Sequence, residues 1–267
     1  MLGDTLKIEI LKKNEREMQF LLEESNPQFA NALRRIMISE IPVLAIDTVD
    51  FFENDSIFYD EVIAHRLGLI PLVFEPKKFH FKEEHKDGKT CSLCVVKFII
   101  NKKGPGIVYS KDMKSDDPEV KPLYDNIPII ELFDDQKLRL EAFASLGLGK
   151  KHARYQAANA WYRYYPIAKL KGELKNSKEV MDACPKKAIK IEGKKVSLSL
   201  DCDMCKECIK VSKPKVLEIE GDPTRFIFNV ESISGLTAEQ IVLQSIDILK
   251  NKIKEFKKEL EKLKKKM

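Results

Sequence analysis

The sequence predicts an α+β fold, and three observations carry that prediction. Leu6, Ile8 and Ile10, then Met18, Phe20 and Leu22, alternate with other residues at the two-residue period of half-buried strands. Phe29, Leu33, Ile36 and Met37 fall at i, i+4, i+7 and i+8, an apolar stripe at helical period. From Thr237 onward, apolar residues recur at steps of three and four, the pattern of one long helix.

Taken in order, the stretches Thr5 to Leu11 and Met18 to Leu22 flank a polar turn at Lys12 to Arg16 and read as a hairpin. Asn26 is the expected N-cap of the first helix, with Pro27 at its first position, where the missing N–H costs nothing. Arg34 and Arg35 lie off the apolar stripe. Ile41-Pro42 ends the helix, because the residue before a proline is driven toward extended conformations. Val43 to Val49 is a further apolar run, Glu53 to Ser56 a polar bend, and Asp60 to Leu69 a second short helix closed by Pro71. Val95 to Ile100, Asn126 to Leu132 and Leu138 to Phe143 read as strands, so the middle of the chain is β-rich. Breaks fall at Lys103 to Pro105 and Asp112 to Pro118. Arg225 to Val230 alternates again and is expected to return to the first sheet, and Thr237 with Gln240 has the spacing of a capping box.

Composition bounds the function. With 267 residues, 43% hydrophobic and 33% charged, the chain reads as one large or two to three modest globular domains. No apolar run approaches the ~20 residues of a membrane span. The opening MLGDTLKIEI lacks the basic-then-apolar order of a signal peptide, so the expected location is the cytoplasm, away from any membrane. Lys250 to Met267 carries nine Lys against three Glu, a net +6, so of the chain's +5 the preceding 249 residues hold −1. That body argues against a broad nucleic-acid face, and no sequence-specific DNA binding is expected. The lysine tail reads first as a solvated helix face and second as a phosphate-binding arm. The aromatic stretch Trp161 to Tyr165, with Arg154 and Arg163, is the remaining nucleic-acid candidate. The four His, at 65, 80, 85 and 152, stand in no acid–base spacing. There is no Gly-rich phosphate loop and no paired-aspartate run for two metals, so no catalytic residue is assigned.

Residues 31 to 72, NALRRIMISEIPVLAIDTVDFFENDSIFYDEVIAHRLGLIPL, carry a resemblance to the D-subunit family of archaeal RNA polymerase. That family is related to the third-largest subunit of eukaryotic polymerase II and, more distantly, to the bacterial α subunit. GLGKKHARYQAANAWYRYYP (Gly147 to Pro166) resembles the family's second block, and the final helix matches in form. The resemblance implies a split dimerisation domain of sheet plus long helices at 1–40 and 225–267, and a β-rich insert domain at 41–166. It implies a non-catalytic assembly platform that pairs with a smaller homologous subunit, L, binds the small subunits N and P, and faces the large catalytic subunits. The final helix supplies a heptad seam of Ile246, Leu249, Ile253, Phe256, Leu260 and Leu263, with no second long heptad helix in the chain to receive it. Burial against the chain's own body is the other reading of that seam. With Phe29, Leu33, Arg34 and Arg35 of the first helix, Ile246 to Leu260 form the expected partner interface; the arginines suit carboxylates or carbonyls of another subunit.

Two groups of cysteines remain. Cys184-Pro185 followed by Cys202, Cys205 and Cys208 in C-x2-C-x2-C spacing resembles one cluster site of a bacterial-type ferredoxin, and residues 167–224 are the expected ferredoxin-like insert. The ligand positions of the second cluster hold Leu174, Ser177, Val180 and Ser212, so one iron–sulfur site survives. It takes [4Fe-4S], or [3Fe-4S] if Cys205 is not used. A four-cysteine zinc site is the competitor, but such sites come as two separated C-x2-C pairs. A ferredoxin-like electron carrier is the alternative function. His80, His85, Cys91 and Cys94 offer a second, weaker set, with zinc, a disulfide and two plain thiols all open. Eukaryotic relatives hold a cysteine-rich zinc site in the corresponding loop, whereas here one C-x2-C pair remains.

Overall fold

The computed structural model describes residues 6–84, 91 and 93–266. Strands β1 (Lys7–Lys13) and β2 (Glu17–Glu23) lead into α1 (Pro27–Ser39), β3 (Pro42–Asn54), α2 (Asp60–Gly68) and β4 (Leu72–Val73). Then come β5 (Val95–Lys103), β6 (Gly106–Tyr109), β7 (Lys114–Ser115), β8 (Lys121–Pro122), β9 (Pro128–Leu132), β10 (Lys137–Leu148) and β11 (Ala158–Leu170). The chain closes with α3 (Ser177–Asp182), β12 (Ile189–Glu192), β13 (Lys195–Leu198), α4 (Glu207–Val211), β14 (Leu217–Ser232) and α5 (Ala238–Lys266). Sheets outweigh helices, a mixed α+β architecture. Two compact units divide the chain. One gathers the N-terminal strand, Gln19–Asn31 and Trp161–Asn229; the other gathers Asn14–Met18, Ala32–Ala160 and Val230–Met267.

The first unit rests on the sheet β1-β2-β14-β11, which puts the late strand β14 beside the second strand, as the alternation at Arg225 to Val230 predicts. Aromatic side chains knit it across strands. Phe20 stacks on Phe228 at 4.9 Å, and Tyr162 meets Phe226 at 5.4 Å and Phe228 at 5.3 Å, contacts that add about 0.5–1.5 kcal/mol each beyond their buried area. Between β11 and β14 the chain inserts α3, the hairpin β12-β13 and α4. Their core is Leu174, Val180, Ala188, Ile189, Ile191, Leu217 and Ile219 with Cys202 and Cys208. β1 departs from expectation. Its alternation is real, yet Ile8 and Ile10, and Leu6 just before it, are 55, 53 and 44% exposed, because β1 is the sheet's edge.

The second unit is built on β3-β10-β5-β7. Val96 pairs with Ala144, Phe98 with Ala142 and Ile100 with Leu140, all of them buried, so one face of this sheet is a continuous apolar layer. The predicted caps of the helices are present. The Phe29 N–H donates to Asn26 Oδ1 at 2.9 Å. At α5, the Gln240 N–H donates to Thr237 Oγ1 at 3.2 Å and the Thr237 N–H to Gln240 Oε1 at 2.8 Å. Arg16, read from sequence only as part of a turn, fixes where α5 begins: its guanidinium donates to the carbonyls of Ser232 (2.8 Å), Ser234 (2.6 Å) and Leu236 (3.2 Å).

One close approach sets a test. A Cβ on Gly147 in β10 would lie 2.5 Å from the ring of Tyr155, which is fully buried. Gly147→Ala is expected to destabilise the protein by about 1–3 kcal/mol, the usual cost of overpacking. A urea midpoint unchanged from wild type would show that the Tyr155 ring yields.

Candidate functional site

Cys184, Cys202, Cys205 and Cys208 come together as the sequence predicts, lining one pocket with Pro185, Lys186, Ile189, Leu198 and Ile219. The local backbone explains how. Lys187 follows the Cys184-Pro185 corner at φ +50°, and Met204 and Lys206 bracket Cys205 at φ +59° and +63°. Three non-glycine residues in the left-handed region cost of order 1–3 kcal/mol each, and such outliers gather where a loop wraps a ligand. The loop is held from outside. Arg163 of β11 donates to the carbonyl of Cys202 at 3.1 Å and to that of Leu200, and Lys186 pairs with Asp203 at 3.2 Å. Cys184 Sγ accepts the Ala188 N–H at 3.3 Å, and hydrogen bonds to sulfur of this kind tune iron–sulfur centres. Cys202 and Cys208 are buried, Cys184 half-buried and Cys205 exposed, all as free thiols. Burial, reinforced by the neighbouring thiols, pushes the Cys202 and Cys208 thiols up.

Three of the positions that the ferredoxin resemblance aligns with a second ligand set serve packing. Leu174 and Val180 sit in the apolar core of this segment, Val180 fully buried, and the buried Ser212 donates its hydroxyl to the Ile209 carbonyl at 2.8 Å.

At the other cysteine pair, His80 Nε2 lies 3.1 Å from Cys94 Sγ and 3.5 Å from Cys91 Sγ, and the two sulfurs are 3.3 Å apart. These three atoms are within 4.8 Å of one another, the one such group of metal-ligating atoms among the described residues. His85, the fourth member of the predicted set, lies outside the described residues.

The predicted interface residues divide by burial. On α1, Leu33 belongs to the chain's own core, Phe29 and Arg34 are half-buried, and Arg35 is exposed. Leu33, Ile36 and Met37 of the stripe pack inward. Along α5, Ile246 and Leu249 are half-buried, while Ile253 (61%), Phe256 (67%), Leu260 and Leu263 are exposed. Lys252 pairs with Glu40 at the point where the seam leaves the body. The sequence reading missed a third apolar surface. Phe52, Ile57, Tyr59, Val62 and Leu69 all stand in solvent around α2, while Arg66 ties that helix down through the Ile129 carbonyl at 2.7 Å. Of the nucleic-acid candidates the two arginines are engaged, Arg154 donating to the carbonyls of Ile46 (2.9 Å) and Asp47 (3.2 Å) and Arg163 to the cysteine loop, while Trp161 is exposed. No helix among the described residues is long and apolar enough to cross a membrane.

The profile of the RNA polymerase Rpb3/RpoA insert domain matches residues 45–163, the segment that holds the β3-β10-β5-β7 sheet. Relatives match over nearly the whole length. The chain is 37% identical to DNA-directed RNA polymerase subunit Rpo3 of Pyrococcus furiosus, over 97% of this chain and 98% of that one. It is 36% identical to the Rpo3 subunit of Archaeoglobus fulgidus, over 96 and 98%, and 36% identical to that of Methanosphaera stadtmanae, over 92 and 96%. The chain belongs to the family of archaeal DNA-directed RNA polymerase subunit Rpo3.

Proposed function

We propose that this chain is a non-catalytic assembly subunit of DNA-directed RNA polymerase in the cytoplasm, and that it pairs with the small subunit L through the α5 seam. In this reading the small subunits N and P and the large catalytic subunits dock on its remaining surfaces, among them the apolar residues around α2. Residues 1–40 with 225–267 act as the dimerisation domain, 41–166 as the β-rich insert and 167–224 as the ferredoxin-like domain. The observation that carries the pairing is α5 itself. Four large apolar residues at heptad spacing stand in water on a helix whose cap and first turns are firmly fixed. A seam of that kind lowers its free energy by meeting another helix. Leu6, Ile8 and Ile10 on the edge strand add exposed apolar surface of the same sort.

Cys184, Cys202, Cys205 and Cys208 are the ligands we assign to one iron–sulfur cluster, [4Fe-4S] through all four or [3Fe-4S] through Cys184, Cys202 and Cys208. The residues fit such a group. Four thiols line one pocket, the backbone around them is left-handed at three non-glycine residues, and one sulfur already accepts an amide. No three of the four sulfurs share the 4.8 Å radius that His80, Cys91 and Cys94 do. A single tetrahedral zinc needs sulfurs roughly 3.8 Å apart, whereas a cluster spreads its thiolates around several irons. When bound, the cluster supplies a covalent crosslink between the Cys184 corner and the Cys202–Cys208 loop, and so contributes folding energy to a short segment.

A ferredoxin-like electron carrier is the alternative, which relatives named as polymerase subunits over nearly the whole chain do not favour. Co-expression of this chain with and without L, followed by size exclusion with mass determination and iron and sulfide assays on the same peak, tests both. A stable one-to-one complex that contains iron is expected. A soluble, monomeric and reversibly reducible iron protein would favour the carrier instead.

A further inference from the structure

We propose that the groove lined by the end of β11 and the β12-β13 hairpin docks an extended, acidic segment of a partner protein, which joins it as an added β-strand. The groove measures about 560 Å³ and lies within the first compact unit. It shares no lining residue with the cysteine pocket. Consecutive residues of two strands line it, Ala168 to Leu170 of β11 and Lys195 to Ser197 of β13. Successive side chains of a strand point to opposite faces, so a groove lined by consecutive residues follows strand edges rather than a sheet face. Both edges are open. β11 is the last strand of its sheet, and β13 pairs with β12 alone. Among the described residues, no main-chain group of 168–170 or 195–197 bonds to backbone outside its own sheet. An incoming strand finds donors and acceptors waiting on either edge.

Charge selects the occupant. Lys169, Lys190, Lys194 and Lys195 surround the groove with Glu192 as its one acid, and all five are exposed. Nearby lysines are matched within the chain, Lys171 by Glu218 at 2.6 Å and Lys186 by Asp203 at 3.2 Å. The four at the groove have no ion pair among the described residues. Their unmatched charge attracts anions and steers their approach. Lysine on an open edge also deters pairing with a second copy of the same edge. An acidic strand is therefore the one these edges admit, attraction and exclusion coming from the same side chains. Half-buried Leu170 and Val196 add apolar contact for alternate side chains of the added strand. A nucleic acid would meet the same lysines, but the groove has no aromatic ring on which a base could stack, and phosphates would leave the strand edges unused.

The test uses the full-length chain with the metal it carries on purification, and a capped peptide alternating Glu with Thr, read by fluorescence anisotropy. Saturable binding is expected, together with slowed amide exchange within 168–170 and 195–197. Lys190→Glu with Lys195→Glu is expected to weaken binding about tenfold or more and to admit the corresponding peptide of Lys and Thr. Methylating the backbone nitrogens of the Glu peptide removes its strand hydrogen bonds and keeps its charge, and is expected to abolish binding. No saturable binding of the Glu peptide, or binding undiminished by methylation, would each overturn the proposal. So would a single-stranded RNA of equal charge that binds as tightly, which would make the groove a phosphate site. Should the lysine variant misfold, the methylated peptide on the wild type decides alone.

Discussion

Replacing Ile253 and Phe256 together by aspartate is expected to abolish the proposed pairing with the small subunit L while leaving the isolated chain as stable as wild type. Both residues are more than 60% exposed, so neither contributes much to the fold of the single chain. Exposed substitutions of this kind stay within about 0.5 kcal/mol. In a helix pair the same residues would be buried. Each fully buried apolar side chain is worth about 1.5–3 kcal/mol, and a carboxylate placed in the seam adds a desolvation cost. The two losses together come to roughly 3–6 kcal/mol, a weakening of about 10²–10⁴-fold. Isothermal titration or native mass spectrometry with L reads this directly. Lys257→Ala with Lys258→Ala, on the same turns of α5 but off the seam, serves as control and is expected to change the affinity little. Equal affinity for wild type and the aspartate variant would remove α5 from the interface.

The contrast between α1 and α5 shows what a sequence conveys about such a surface. Both carry apolar residues at helical period, and both caps were legible: Asn26 before Pro27, and Thr237 with Gln240, form the expected hydrogen bonds. Period alone does not say which partner covers a stripe. Leu33, Ile36 and Met37 are covered by the chain's own body, whereas Ile253 and Phe256 are not. The same ambiguity hides the exposed face of β1, whose alternation is indistinguishable from that of a half-buried strand. Strand ends were less legible than strand centres. β14 begins at Leu217, well before the alternation at Arg225, because Gly221 and Pro223 interrupt the local signal while pairing in the sheet carries the chain through them. β10 likewise runs on to Leu148, where β3 supplies partners as far as Pro42. The clamps at Arg16, Arg66 and Arg154 were illegible, since they bind carbonyls distant in sequence and no local pattern marks them. The cysteines were legible because spacing along a chain restricts how thiolates converge, and their loop does converge.

Convergence with unequal burial predicts unequal roles for the four cysteines in the proposed cluster site. Cys202 and Cys208 are part of the apolar core of their segment, and Cys205 stands in solvent between two left-handed residues. If the proposed cluster sits on this loop, Cys202→Ser is expected to remove it altogether, with iron and sulfide falling to background. The cause is that an iron held at a buried position has no water to replace a missing thiolate, while serine there leaves a hydroxyl to be satisfied inside the core. Cys205→Ser has the opposite expectation. Only its own iron loses a thiolate, at an edge that solvent reaches, so a three-iron cluster on Cys184, Cys202 and Cys208 is expected to persist. Its signature is the three-iron paramagnetic resonance signal in the oxidised protein, with about three irons per chain. Loss of the cluster should also loosen the loop that Arg163 holds through the Cys202 and Leu200 carbonyls. Amide exchange in residues 199–211 is therefore expected to accelerate in Cys202→Ser and much less in Cys205→Ser. Equal iron loss in the two variants would mean that burial does not rank these ligands; full iron in Cys202→Ser would take the cluster away from this loop.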